Sequence, residues 1–438
     1  MSPRVAGCWL GPPLALLLVA AVAWRAWLPD TVAARIDGVP LSREVLRVFL
    51  VNAEAAADHG EPVTERQVLA GLIDVHLLGR WYRSERWAHR PPERVGYDRA
   101  SRERRQLYLL VRGAYAAELA RALHEDGRQS PLAYLLEPPA LDVDALAPLL
   151  KVEPGLYATL PETRADAARG YVLAHYRFAG GERRSVTLWQ LYQRQNLQMK
   201  VQFQALNVAA MGEALRQFMA EAYVLDWFER RAGLPELDRR WVRQLVADAE
   251  DQRALVYALG LSDDPHDDNP LLRQQAAAIR PAAIRDFYRR HRRDFERVEA
   301  VRAGVLRLPS QPLADRAYQS LSRGTPATAL ARMEGVAYQP PHWIDRGSGH
   351  PRWLTGFAFV QQPGQPSAPV RAPLADPPAH WVILLVEERR LGYQDPASES
   401  VRYQASMALA HQALQRRFEQ GLTHWRSRSV LQINTEIQ

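Results

Sequence analysis

Apolar residues recur at three- and four-residue intervals through most of this chain, and that period makes it predominantly helical. Val68, Leu69, Leu72, Ile73, Leu77 and Leu78 predict a helix over about 64–87, with Thr64 as its cap. Leu107, Leu110, Val111, Tyr115 and Leu119 predict another over about 98–124. Further helices are expected over 206–233 and 236–260. A long amphipathic helix is expected over 398–426, with Tyr403, Met407, Leu409, Leu414 and Phe418 docking on other helices. The chain has 438 residues; at roughly 150 residues per domain that suits about three folded units. With 47% apolar and 24% charged residues it is an ordinary globular protein, not a disordered one.

The single cysteine, Cys8, excludes an internal disulfide framework and a cysteine-based metal cluster. The net charge is +7, carried by arginine, since Lys151 and Lys200 are the only lysines. Acidic residues are interleaved with basic ones almost everywhere, and even the densest basic stretch, Arg285 to Arg293, contains Asp286. That mixture argues for a solvated surface, and no nucleic-acid partner is expected. His266 stands among four aspartates in SDDPHDDNP (262–270) and reads as a solvated acidic turn, so no metal is expected.

Residues 1–29 form a signal or anchor segment. Arg4 precedes a charge-free stretch from Cys8, and Leu14 to Trp24 is a continuous apolar run. Two readings stand: a signal cleaved near Ala21-Val22-Ala23, or an uncleaved inner-membrane anchor over residues 9–27 with Trp24 and Trp27 in the interfacial belt. Either sends the rest of the chain across a membrane.

From residue 30 the chain reads as a series of blocks. In the first, 30–128, a strand (Val32 to Ile36) meets an Asp37-Gly38 turn, a hairpin signal, and Ser42 then caps a helix. Residues 129–170 are rich in Pro, Leu and Ala and read as a linker or irregular packed region. In the second helical block, 171–280, the hairpin pattern returns with a Gly-Gly turn and a helix start at Thr187, a possible degenerate duplication. Residues 281–395 switch to a helix, an alternating strand, two short helices, a Pro/Gly-rich stretch and the strand HWVILLVEERR (380–390), a small α+β domain. Residues 396–438 supply the long helix and a closing strand, Val430 to Ile433.

Several segments, in order, resemble the SurA/PpiD group of extracytoplasmic foldases. ARIDGVPLSREVL (34–46, from Ala34) is similar to the opening of their N-terminal domain, and VLAGLIDVHLL (68–78) to a following helix. The run from Ile279 to Ser310 is similar to the helix and first strand of a parvulin-type (rotamase) domain. PGQPSAPV (363–370) is similar to a family turn, and HWVILLVEERR to the last strand. The resemblance implies a helical chaperone platform carrying a small parvulin-like α+β domain.

Rotation about an Xaa–Pro bond faces a barrier of about 18–20 kcal/mol but breaks no bond. It therefore needs no nucleophile and no cofactor, only a site that prefers the twisted amide. The resemblance implies two histidines on adjacent strands. The first position falls on Gly304 and the second on Val382. His380, two residues before Val382, is a candidate substitute. The polar half of the site is thus missing. Leu306, Trp343, Trp353, Phe357, Phe359 and Trp381 are candidates for an apolar client-binding remnant; ordinary core packing explains each equally well. The expected function is a periplasmic folding factor holding unfolded or extended clients, with weak or no isomerase activity. The alternatives are an active parvulin-type isomerase and a dedicated assembly factor for one exported system. No Walker loop, Gly-x-Ser-x-Gly, His-Glu-x-x-His or dinucleotide glycine fingerprint occurs.

Overall fold

The computed structural model describes residues 24–26, 28–57, 62–87, 98–152, 158–262, 269–347 and 349–437. The protein is a predominantly helical α+β chain. It divides into two compact units, residues 1–272 with 413–438, and residues 273–412. In chain order the first unit carries β1 (Trp24–Ala26), β2 (Val32–Ile36), β3 (Val39–Ser42), α1 (Arg43–Ala56), α2 (Glu65–Ser84), α3 (Arg99–Ala114) and α4 (Ala116–Glu125). Then come α5 (Val143–Leu150), α6 (Glu162–Gly170), β4 (Val172–Tyr176), β5 (Arg184–Thr187), α7 (Leu188–Gln193), α8 (Leu197–Gln204), α9 (Val208–Arg230), α10 (Glu236–Ala258) and α11 (Pro270–Ala277). The second unit carries α12 (Pro281–Arg290), β6 (Glu296–Leu308), α13 (Gln311–Ser322), α14 (Ala327–Leu330), β7 (Ala337–Asp345), α15 (Arg352–Val360), β8 (Val370–Arg371) and β9 (Trp381–Tyr393). Helix α16 (Glu399–Arg428) starts in the second unit and ends in the first, and β10 (Leu431–Asn434) follows it.

The opening hairpin forms where the sequence places it. Asp37 and Gly38 both take positive φ, +49° and +83°, the pair of left-handed residues a two-residue hairpin turn requires. The Ser42 hydroxyl accepts from the Val45 amide and caps α1. The second hairpin repeats this construction in detail. Val32 pairs with the cap residue Ser42, and Val172 with the cap residue Thr187; both ladders then slip by one residue before Ala34 and Ala174. Arg43 N–H donates to Thr31 O at 2.9 Å, and Leu188 N–H to Tyr171 O at 2.9 Å. Two segments with little shared sequence thus solve the strand-to-helix corner in the same way, which supports the duplication.

The N-terminal sheet runs β1-β10-β2-β3, so strands from the two ends of the chain lie side by side. Leu431 pairs with Ile36, and the buried Asn434 amide donates to Val32 O at 2.8 Å. Of the expected membrane segment only Trp24–Ala26 is described, as strand β1 paired parallel to β10. Cys8, the apolar run up to Ala23 and Trp27 lie outside the described residues, as do His266 and its flanking aspartates. Among the described residues no helix is long and apolar enough to cross a membrane.

Three expectations need correction. The 98–124 helix breaks at Tyr115, whose backbone (φ −125°, ψ 30°) leaves the helix while its ring is buried against Trp227. Residues 129–170, expected as a linker or an irregular packed region, are packed but regular in part: α5 and α6 bury Leu146, Leu150 and Ala168 in the first unit's core. At eight and nine residues these helices are too short to show a period, and Pro148 masks one of them. The third concerns the long helix. Its buried residues are Val401, Ala405, Ala410, Leu414 and Phe418, while Tyr403 is 66% exposed. Val401 and Ala405 pack with Phe287 and Phe295, and Leu414 and Phe418 with Leu78, Trp81 and Leu255. The helix turns small residues inward where a neighbour approaches, so bulk alone misplaced the stripe.

Glu44, in the first turn of α1, takes a pH-dependent place in this core. The Arg47 guanidinium hydrogen-bonds it at 2.6 and 2.8 Å and the Tyr115 hydroxyl donates to it at 2.7 Å, which holds its carboxyl below the usual range despite partial burial. Because the folded pKa is depressed, its contribution is present above the unfolded value near 4.5 and is lost as pH falls through the folded value. Glu44→Gln is expected to cost about 1 kcal/mol at neutral pH, a half-exposed ion pair plus one hydrogen bond. The difference should shrink below pH 4.5 in urea titrations across pH; a pH-independent difference would show that the charge contributes nothing.

Candidate functional site

The second unit is built on a four-stranded antiparallel sheet of order β7-β6-β9-β8. β6 and β9 are its first and last long strands and pair along most of their length, from Glu296 with Tyr393 to Leu308 with Trp381. Alternation sends Val301, Ala303, Val305, Val382, Leu384 and Val386 to one face, where α15 covers them with Leu354 and Ala358. It sends Leu306, Leu308 and Ile383 to the other, covered by Ala314, Ala317 and Leu321 of α13 and Leu330 of α14.

β7 and α15 were not legible in the sequence, where the segment between the second short helix and the strand at 380–390 reads as a long Pro/Gly-rich stretch. Pro340 and Pro341 fall inside β7. Proline cannot donate to a ladder, so it is tolerated only where one side of the strand is unpaired, and β7 is an edge strand. The PGQPSAPV turn runs beside β9. Gly364 N–H donates to Val386 O, Ser367 N–H to Leu384 O, and the Ser367 hydroxyl accepts from Leu384 N–H at 2.9 Å.

The two positions expected to carry histidine do not share a face. Gly304 pairs with Leu385 and alternates with Leu306, which places it on the α13 side. Val382 pairs with Arg307 and is fully buried on the α15 side. The space a side chain at 304 would enter is taken by Tyr338 of β7: a Cβ there would lie 3.2 Å from its ring and 3.2 Å from its hydroxyl. Burial pushes the Tyr338 phenol up, so it stays neutral.

The six aromatic and aliphatic candidates divide in the same way. Leu306 and Trp381 belong to the α13 face, and Trp353, Phe357 and Phe359 to the α15 face. Trp343 lies on β7, half-buried, with the Arg390 guanidinium 4.3 Å from its ring centroid. Leu306 is fully buried and cannot touch a client in this conformation. The others are half-buried. Trp353 Nε1 donates to Asp376 Oδ2 at 3.1 Å, and the Arg346 guanidinium lies 5.2 Å from the Phe359 ring centroid.

His380 stands one residue before β9. Its Nδ1 donates to Pro378 O at 2.7 Å, and its Nε2 is buried with no hydrogen-bond partner among the described residues. The histidines that do meet lie at neither expected position. His342 of β7 and His350 approach Nε2 to Nε2 at 3.1 Å. His342 Nδ1 lies 2.8 Å from Pro340 O, an acceptor only, so it carries the proton and leaves Nε2 as the acceptor when the ring is neutral. Burial, then His342 and Arg307, lower the His350 pKa, so neutral His350 donates Nε2–H to His342. The signal available in sequence was the i, i+8 spacing around a Gly-rich turn, which only the strand edge makes meaningful.

No family model matches the chain, and no curated protein matches it. Similar solved structures include the foldase protein PrsA of Streptococcus pneumoniae, 13% identical over 48% of this chain and 75% of that chain, with a TM-score of 0.17. They also include a structure from the pair of SurA-like chaperones of Campylobacter jejuni that contains PEB4, 11% identical over 54% of this chain and 84% of that chain, also with a TM-score of 0.17. At that TM-score neither likeness carries the fold or the function of this chain.

Proposed function

We propose that this chain is an extracytoplasmic folding factor that binds unfolded or extended polypeptide clients and does not catalyse prolyl isomerisation. The family resemblance of its segments supports the first part. ARIDGVPLSREVL falls on a hairpin and capped helix, and the parvulin-like segments fall on paired strands of one small sheet. The single observation that carries the second part is the fate of the two histidine positions. One is a glycine roofed by Tyr338, the other a valine sealed in the opposite face, so these two positions supply no polar pair to one amide. Holding a client needs apolar surface and little else, and a site of that kind survives the loss of the histidines.

The test is paired. The full chain should give no acceleration of cis–trans exchange in short Xaa-Pro peptides, while it suppresses aggregation of an unfolded client at near-stoichiometric ratio. Failure to suppress aggregation would refute the holding role. Acceleration of exchange would favour a second reading, in which the His342–His350 pair supplies polar groups to a displaced isomerase site. That reading requires the rate to fall in His342→Ala and His350→Ala.

A further inference from the structure

The first unit holds a groove that lies outside the parvulin-like sheet altogether. Two cavities lie along α9 and share Tyr108, Arg112 and Ala220. The first, about 490 Å³, is bounded by α3, α7 and α9; the second, about 520 Å³, by α3, α4 and α9. Their chemistry differs sharply. The second is floored by Leu119, Leu123, Pro131, Tyr223 and Val224, with the small exposed side chains of Ala116 and Ala120 at its rim. In the first, five arginines (104, 105, 112, 194 and 216) face two carboxylates, Glu213 and Glu221.

Those carboxylates do not neutralise the arginines. Arg216 is engaged by Glu213, with Nε to Oε2 at 2.8 Å. Arg104 Nε and Arg194 Nη1 stand 3.8 and 3.6 Å from Glu221 Oε1, ion pairs too long to be hydrogen bonds. Glu221 Oε1 is buried with no hydrogen-bond partner among the described residues, and burial raises the Glu221 pKa. Arg105 and Arg112 are exposed and make no ion pair among the described residues; Arg112 Nη1 donates to the Tyr108 hydroxyl at 3.1 Å. The result is a surplus of guanidinium groups beside an apolar cavity that shares Tyr108, Arg112 and Ala220 with them.

We infer that this groove binds an extended polypeptide segment in which apolar residues are followed by acidic ones. The apolar residues cover Ala116, Ala120 and the half-buried Leu123, and the acidic side chains take Arg104, Arg105 and Arg112. The stretch of α9 from Glu213 to Val224 spans about 16 Å, the length of about five extended residues. The inference rests on the client-holding role proposed above and names the class of client segment that role selects.

The test uses the full chain and three ten-residue peptides with a neutral fluorophore. All share one apolar half; the other half is aspartate, serine or lysine. Anisotropy should rank them aspartate, serine, lysine, with the aspartate peptide bound about tenfold tighter than the serine one at low salt and the gap closing as salt rises. Arg105→Glu with Arg112→Glu should erase that preference, bringing the aspartate peptide to or below the serine one. Ala120→Glu, at an exposed helix position, should weaken all three. Equal binding of the three peptides, or a preference that survives the double reversal, overturns the groove as the site. So does a chain whose self-association, and not its peptide affinity, responds to the reversal. If aggregation is suppressed while no peptide binds, the groove fails and the holding role stands. If neither occurs, the holding role fails and takes the groove with it.

Discussion

Asp248→Ala is expected to cost the first unit about 3–5 kcal/mol, the range for breaking a buried ion pair by removing one partner. Asp248 has no exposed surface. Its Oδ2 meets His76 Nδ1 at 2.7 Å, and its Oδ1 accepts from Arg83 at 2.7 Å and from Gln244 at 2.8 Å. Arg83 also bonds Asp251, which in turn holds Arg99, while Glu250 accepts from Arg102 at 3.0 Å. Three carboxylates of α10 thus bind α2 and α3 through arginine. The backbone makes room for this: a Cβ on Gly79 would sit 2.7 Å from Asp248 Oδ1. Removing the carboxylate leaves the largely buried His76, Gln244 and one side of the part-exposed Arg83 without that partner. Native-state hydrogen exchange should show protection in α2 and α10 falling at least a hundredfold. Asp248→Asn should recover part of the loss, since it keeps an acceptor. Protection within a factor of five of the parent would show that water or Asp251 replaces Asp248 freely.

Gly421→Ala should destabilise, against the usual sign. An alanine in a helix interior is worth about 1 kcal/mol over glycine. Here a Cβ would stand 2.2 Å from Trp81 Cη2 and 2.4 Å from Cζ3. Trp81 is 5% exposed and packed with Leu78, Leu255 and Phe418, and its Nε1 donates to Glu85 at 2.8 Å, so the ring cannot swing away cheaply. Overpacking of this kind costs about 1–3 kcal/mol and wins over propensity. The decisive measurement is the double-mutant cycle. Trp81→Ala alone should cost about 3–5 kcal/mol. In that background Gly421→Ala should turn neutral or stabilising, because the clash is gone and the helix preference remains. The same sign in both backgrounds would mean that α16 does not lie on α2 as closely as the structure places it.

The two effects differ in how far the sequence announced them. Asp248 stands on the α10 stripe between Leu245 and Leu255, at the spacing of a buried residue. A carboxylate at such a position is a signal, and periodicity alone could have found it. Gln244, four residues away on the same helix, is within reach of that pattern; Arg83 and His76 are not, since they lie 165 and 172 residues away. Gly421 carries no signal at all: it looks like a weak point in a long helix until Trp81 is seen beside it. In the second unit, β6 was legible from its alternation and β9 as the run HWVILLVEERR, and β7 was hidden by the prolines that its edge position tolerates. The candidate site suffered most. Counting along β6 and β9 located Gly304 and Val382, yet each count fixes only a position on its own strand. The bulges that shift the β6–β9 register between Val298 and Ala300 and between Arg302 and Ala303 have no sequence mark.

The sequence by itself determined the helical α+β class, the Asp37-Gly38 turn, the caps at Ser42, Thr64 and Thr187 and the strand at 381–390, because each depends on residues within one or two turns of one another. Tertiary structure alone decided that the last strand pairs with the first hairpin, that the expected histidine positions face apart, and that two cavities along α9 share a wall. Those follow from side chains meeting across hundreds of residues, and the free energy that selects such meetings comes from burial, which no local pattern encodes.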